Sequence, residues 1–177
     1  MKAHPYAELF PMMPEDELRE LAADIKVNGQ REDITTLDGM ILDGRNRYRA
    51  CEIAGVEPMT RGYLGDNPLA FVLSSNLHRR HLDASQRAMV ATRLANLSPG
   101  ANQHENKAKE VSGLPLTTQS GAAEALGVSV DSVKQARTVV QQGAPELVAA
   151  VDAGAVSVNA AAEVAKLPKS EQKKVVA

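Results

Sequence analysis

The stretch that decides the fold is residues 119–138, QSGAAEALGVSVDSVKQART. Ala122 and Ala123 are small enough to let two helices cross closely, and Gly127 stands where the turn between them needs a positive φ. Ser129 is suited to cap the second helix. The pattern therefore predicts a helix-turn-helix. Four residues fall where they would fill the wedge between the helices: Leu126, Val128, Val133 and Ala136.

A helix-turn-helix predicts double-stranded DNA as a partner, because its second helix enters the major groove and its first residues face base edges. Gln135 suits adenine, Lys134 suits guanine or a phosphate, and Arg137 would lie nearer the phosphates. An alanine-rich helical hairpin that only packs against protein is the alternative. The predicted DNA-binding residues are Gln119, Ser129, Asp131, Ser132, Lys134, Gln135, Arg137 and Thr138.

The composition is that of a soluble globular protein, with 44% hydrophobic and 24% charged residues among 177. There is no long apolar run and no leader pattern, so the sequence predicts a cytoplasmic protein without a membrane partner. A single cysteine, Cys51, agrees with a reducing compartment. The net charge of −2 hides an uneven distribution, since residues 41–93 carry eight arginines against five acids. That segment can present a local anion-binding face.

Upstream of residue 83 the patterns alternate between helix and short strand. Asp38-Gly39 is a strong hairpin signal between two apolar runs. Asp83 followed by Gln86 resembles a capping box. The predicted helices are Pro14 to Asn28, Gly44 to Ala54, 67–76 and 83–97, and the predicted strands are Ile34 to Leu37, Met40 to Leu42 and 57–63.

Residues 98–118 are rich in Ser, Pro, Gly, Asn and Lys and show no apolar period, which indicates a loop or linker. We therefore predict an α+β protein with a small α/β domain over residues 1–82. An all-α helix-turn-helix domain over residues 83–177 follows, with the linker at 98–118 inside it.

A glycine-arginine loop dominates the first domain: residues 42–50, LDGRNRYRA. Gly44 sits where a strand passes into a helix, so free backbone N–H groups can bind an anion at the positive end of the helix dipole. Arg45 and Arg49, four residues apart on one face, could hold phosphate oxygens bidentately. Spacing alone favours this site no more than a strand-helix junction followed by solvated arginines.

A second basic cluster covers residues 75–83, SNLHRRHLD. His78 and His81 have the i, i+3 spacing of metal ligands, but no cysteine or nearby carboxylate completes a set. Arg79 and Arg80 would also repel a cation. We predict no metal site here, and expect Arg79 and Arg80 to contact phosphate instead.

Together these motifs resemble the ParB family of plasmid and chromosome partition proteins over roughly residues 4–165. The resemblance implies a ParB/sulfiredoxin-type α/β domain, double-stranded DNA and a homodimer as partners, and a response to CTP or another nucleoside triphosphate with Mg²⁺. It also implies a partner ATPase or another regulator, and a bacterial, plasmid or phage origin. Function would then be partition or transcription regulation.

The resemblance maps onto particular residues. Gly44, Arg47 and Arg49 match the family's Gly-Glu-Arg-Arg-x-Arg motif, and Asn76 and Arg79 match Glu-Asn-x-x-Arg, whose Asn helps to hold the nucleotide's metal. Two carboxylates of these motifs are absent, and their loss weakens the case for metal-assisted hydrolysis more than for phosphate binding. The departures are Arg45 for Glu, Asn46 for Arg and Ser75 for the acid before Asn76.

Two other functions remain open from the residues. An enzyme on the same fold, a nucleotide hydrolase, nuclease or kinase, would use Asp43 as metal ligand or base beside the arginine loop, although Asp43 also suits a turn that caps the next helix. An adaptor would use the alanine-rich C-terminal helices for assembly. Residues 169–177 carry no stop signal, so we expect a fragment that lacks a C-terminal dimerisation region.

Overall fold

A computed structural model describes residues 1–79, 82–97, 110–111, 114–115 and 118–176. The chain divides into two units, Met1–His78 and Arg79–Ala177. No helix among the described residues is long and apolar enough to span a bilayer.

The first unit builds a small three-stranded sheet with helices around it. The sheet order is β2-β1-β3, with β1 antiparallel to β2 and parallel to β3. Asp38 and Gly39 both have positive φ, 51° and 73°, as a two-residue hairpin turn of this kind needs. The predicted hairpin is confirmed. The elements are α1 (Glu15–Asn28), β1 (Ile34–Leu37), β2 (Met40–Asp43), α2 (Arg45–Ala54), β3 (Thr60–Gly62) and α3 (Pro68–Arg79).

One cluster of the first unit's core lies where α1 packs on α2. Ala22 and Ile25 of α1 are buried against Ala50 and Cys51 of α2. Burial raises the pKa of the Cys51 thiol, so this residue serves as a small packed side chain rather than a nucleophile. Gln30 links this core to the segment just before β3. Its side-chain amide donates to the Met59 carbonyl and accepts from the Met59 N–H, and it also accepts from the Cys51 thiol.

The second unit is mainly helical, and its core joins α4 to the helices that follow. The predicted capping box is confirmed: the Asp83 carboxylate accepts from the Gln86 N–H, and the Gln86 side chain accepts from the Asp83 N–H. Its helices are α4 (Ala84–Ala95), α5 (Gln119–Ala125), α6 (Val130–Gln142), α7 (Pro145–Asp152), α8 (Val158–Val164) and α9 (Lys169–Val176).

Two local predictions need correction. The second domain is not all-α, because β4 (Glu110–Val111) pairs antiparallel with β5 (Leu114–Pro115). Thr118 of the predicted linker caps the helix that follows it, and the other linker residues, 98–109, 112–113 and 116–117, lie outside the described residues. Helix α3 runs three residues beyond the predicted end at Asn76. The polar residues from Lys169, where the sequence shows no stop signal, form α9.

Candidate nucleic-acid interface and anion site

The turn between α5 and α6 is built from local hydrogen bonds. Gly127 has φ +60°, the left-handed conformation that its lack of a Cβ allows. Ser129 caps α6, since its Oγ accepts from the Ser132 N–H at 3.0 Å. Thr118 caps α5 in the same way through the Gly121 N–H. The predicted turn glycine and the predicted cap of the second helix are both confirmed.

The helix pair packs against α4. Ala122 and Ala123 on α5 are buried, as predicted for a close crossing, and Val133 on α6 has no exposed surface. The Thr92 hydroxyl of α4 donates to the carbonyl of Val133 at 3.1 Å, which satisfies both groups inside this contact. Because one face of α6 is held in this way, its opposite face is presented to solvent.

The residues predicted to bind DNA divide by exposure. Lys134 Nζ lies 3.0 Å from Asp131 Oδ1, but both side chains are well exposed and such pairs are weak, so a ligand can compete for either. The side chain of Arg137 makes no hydrogen bond or ion pair among the described residues. The exposed members are Ser129, Asp131, Lys134 and Arg137, and the partly buried ones are Gln119, Ser132, Gln135 and Thr138.

Gln135 is already engaged within the protein. Its Nε2 donates to Asn159 Oδ1 on α8 at 3.2 Å, so contact with an adenine would require this bond to open or Asn159 to share in it. Thr138 turns its hydroxyl back to the Lys134 carbonyl at 3.2 Å. Sequence reasoning did not find Asn159, because its partner lies 24 residues away.

The start of α2 has the features of an anion site. Gly44, the N-cap residue of α2, is in the left-handed conformation at φ +96° and supplies no side-chain cap to the first N–H groups of the helix. A Cβ on Gly44 would lie 3.1 Å from Arg47 Nη2 and 3.3 Å from Ile34 Cγ1, so this position needs glycine for space as well as for φ. The uncapped N–H groups and the helix dipole together favour a negative group here.

Charged groups surround this helix start. Arg47 Nη1 donates to Glu32 at 2.8 Å, and Nη2 lies 3.5 Å from the Asp43 carboxylate. Asp43 is buried and also accepts from Asn76 Nδ2 at 3.2 Å. The fold therefore brings four predicted residues together from β2, α2 and α3: Asp43, Gly44, Arg47 and Asn76.

Two of the remaining predicted phosphate ligands, Arg45 and Arg49, contact other groups of the protein. Arg45 donates to the Ala7 carbonyl at 3.0 Å and lies 3.3 Å from Met12 Sδ, which ties α2 to the N-terminal segment. Arg49 is exposed and pairs with Glu52 at 3.1 Å. Arg80 and the side chain of Arg79 lie outside the described residues. Phosphate binding by these arginines stays a prediction.

The start of α2 is not lined by a set of protein metal ligands. Within the described ranges no three His, Cys, Asp or Glu side chains cluster as metal ligands. The guanidinium of Arg47 lies beside the buried carboxylate of Asp43 and opposes a cation there.

This chain resembles solved structures at low sequence identity. No protein-family model matches the sequence, nor does any curated protein. One similar solved structure is the C-terminally truncated chromosome-partitioning protein ParB from Caulobacter crescentus complexed with CTP-gamma-S. It is 19% identical with a TM-score of 0.33, over 100% of this chain and 98% of that one.

A second similar structure is the same ParB complexed to the centromeric parS site. It is 20% identical with a TM-score of 0.38, over 96% of this chain and 88% of that one. Both belong to the family whose motifs the sequence resembles.

Proposed function

We propose that this chain is a ParB-type DNA-binding protein that acts in partition or transcription regulation, with the α5–α6 pair as a helix-turn-helix. The observation that carries the proposal is the polar, solvent-facing side of α6 directly after the Gly127 turn, opposite a face packed on α4. In a helix-turn-helix this is the surface that enters the major groove.

The charged side chains on the exposed face of α6 determine how this face would bind DNA. Lys134 and Arg137 supply the positive groups, and Asp131 can accept from a cytosine amino group once Lys134 turns to the DNA. Two positive side chains on this face are few for tight DNA binding, because each DNA phosphate that a protein cation neutralises adds affinity. A homodimer that contacts two half-sites would double the number of these cations at the DNA, and we include it in the proposal. The ParB resemblance further implies a partner ATPase or another regulator and a bacterial cytoplasmic setting, which we include as well.

The start of α2 would bind the phosphates of CTP or another nucleoside triphosphate. The uncapped N–H groups after Gly44 support this assignment, and the Arg47 guanidinium offsets the negative charge of Asp43.

An enzyme centred on Asp43 has less support. Its carboxylate is buried and already holds Asn76 and Arg47, so it would have to leave both partners before it could act as a base. The Asp43→Asn variant separates the two functions: DNA binding should persist, whereas any nucleotide hydrolysis by Asp43 should be lost.

The DNA-binding proposal is tested by selection from a randomised duplex pool, followed by fluorescence anisotropy on the enriched sequence. We expect Lys134→Ala to weaken binding roughly ten-fold or more, the effect of one lost base or phosphate contact. Lys166→Ala is the matched control, because Lys166 on α8 forms the same exposed i, i+3 pair, with Glu163. Equal DNA affinities for the two variants would contradict the assignment of α6 as the DNA-binding helix.

The nucleotide proposal is tested by calorimetric titration with CTP, ATP and GTP in the presence of Mg²⁺. Gly44→Ala should abolish the heat of binding, because the new methyl group would crowd the anion site. Gly55→Ala imposes a similar positive-φ strain at the other end of α2, where nothing lies within 4 Å, and should leave binding intact. No heat with any of the three nucleotides would contradict this part of the proposal.

A further inference from the structure

Arg87 on α4 reaches the turn of the helix pair. A Cβ placed on Gly127 would lie 3.6 Å from Arg87 Nη1, so the guanidinium lies beside the chain where it passes from α5 to α6. Gly127 is exposed and precedes the α6 cap, Ser129, by two residues. The Arg87 cation therefore stands at the end of the pair from which α6 starts.

This cation lacks a counter-charge in the part of the chain that the structure describes. Its Nε is buried without a hydrogen-bond partner, and no described residue forms an ion pair with it. Asp83, one helical turn earlier, directs its carboxylate to the Gln86 N–H instead. Arg93 on the same helix shows the contrast, because it pairs with Asp152 at 2.5 Å.

A partly buried charge without a partner lowers stability, so its presence calls for an anion that arrives from outside. Arginine is well suited to a phosphate, whose oxygens match the fork of N–H donors. In helix-turn-helix complexes, backbone phosphates lie beside the helix that enters the groove.

We propose that Arg87 binds a backbone phosphate of the duplex contacted by α6. This inference rests on the proposed function and adds to it a contact from a helix outside the helix pair. A phosphate contact is independent of base sequence, so it can be measured on DNA of any sequence. It also explains why α4 keeps a cation beside the turn without a carboxylate to pair with it.

The test uses the full chain and a fluorescein-labelled duplex of mixed sequence, with affinity measured over a salt series. Arg87→Met should weaken binding roughly ten-fold at low salt and make the slope of log K against log salt shallower by about one. Its melting temperature should stay equal or rise, because a partly buried unpaired charge has been removed. Arg87→Lys keeps the charge and should keep the slope.

Arg93→Met is the matched control on the same helix. It leaves the partly buried Asp152 unpaired, so its melting temperature should fall while the salt slope stays unchanged. Arg87→Gln repeats the measurement with a polar side chain if the methionine variant does not fold.

Each result has a distinct meaning. A wild-type chain that binds no duplex contradicts the proposed function and this inference together. A wild-type chain that binds, with Arg87→Met equal to it in affinity and slope, overturns the inference alone. A fall in melting temperature or in self-association on Arg87→Met, with an unchanged slope, would assign Arg87 to the protein's own packing or to a protein partner and also overturn it.

Discussion

Gln172 Oε1 accepts a hydrogen bond of 2.6 Å from the backbone N–H of Ala144, the residue that precedes α7. The Nε2 of the same side chain lies 3.1 Å from the Ala165 carbonyl and 2.7 Å from the Leu167 carbonyl, at the end of α8. Gln172 is only 1% exposed. One buried amide thus satisfies backbone groups that the ends of two helices leave unpaired.

Gln172→Ala should therefore lower the free energy of unfolding by about 2–4 kcal/mol, because it leaves several buried backbone groups without partners. Urea denaturation followed by circular dichroism measures the change. Gln141→Ala, an exposed glutamine of α6, is the control and should change stability by less than about 0.5 kcal/mol. Equal midpoints for the two variants would show that the Gln172 bonds add no stability.

The Gly127 turn should tolerate asparagine but not alanine. Gly127 has φ +60°, and alanine there should cost about 1–2 kcal/mol. The added methyl group meets only Arg87 at an ordinary contact distance of 3.6 Å, so the cost comes from the backbone and not from a clash. Gly127→Asn, which adopts this conformation more readily, should lose less stability in thermal denaturation. The reverse order of the two variants would contradict this explanation.

Sequence alone predicted the features that depend on neighbours three or four residues apart. Ser129 and Asp83 were identified as caps, and Asp38-Gly39 as a hairpin turn, because each makes its hydrogen bonds within one turn of chain. Such contacts depend on residue types that lie close together in the sequence.

Long-range partners could not be predicted in this way. Asn159 meets Gln135 across 24 residues, and Gln172 meets Ala144 across 28. The spacing of Arg45 and Arg49 suggested a shared phosphate, yet packing directs Arg45 to Ala7 instead. A side chain's partner depends on which elements the fold brings together, and the periodicity of one element does not contain that information.

Arg45 and Arg49 should differ in their effect on stability. Arg45→Met removes a charged hydrogen bond to the Ala7 carbonyl and should lower the free energy of unfolding by about 1.5–3 kcal/mol. Arg49→Met removes an exposed pair with Glu52 and should cost less than about 0.5 kcal/mol. Chemical denaturation of both variants without nucleotide gives the comparison. If Arg49→Met were the more destabilising, the structural role of Arg45 would be wrong.

His4 should make the stability of the first unit depend on pH. The ring is buried, and its Nδ1 accepts from the Tyr6 N–H at 3.2 Å, which requires that nitrogen to be unprotonated. Burial lowers the pKa of His4 below its usual 6.5, while the charge of Asp38 opposes the shift. The unfolded chain therefore binds a proton at a higher pH than the folded chain. The stabilisation is complete above pH 6.5 and is lost as the pH falls through the folded-state pKa.

His4→Asn keeps an acceptor near Nδ1 but does not titrate in this range, so its stability should fall less than that of the wild type between about pH 7 and about pH 5. Because the other histidines are the same in both chains, the difference between the two curves isolates His4. Denaturation across this range measures it, and an NMR titration of the ring should give a pKa below 6.5. Parallel stability curves, or a ring that titrates above that value, would contradict the prediction.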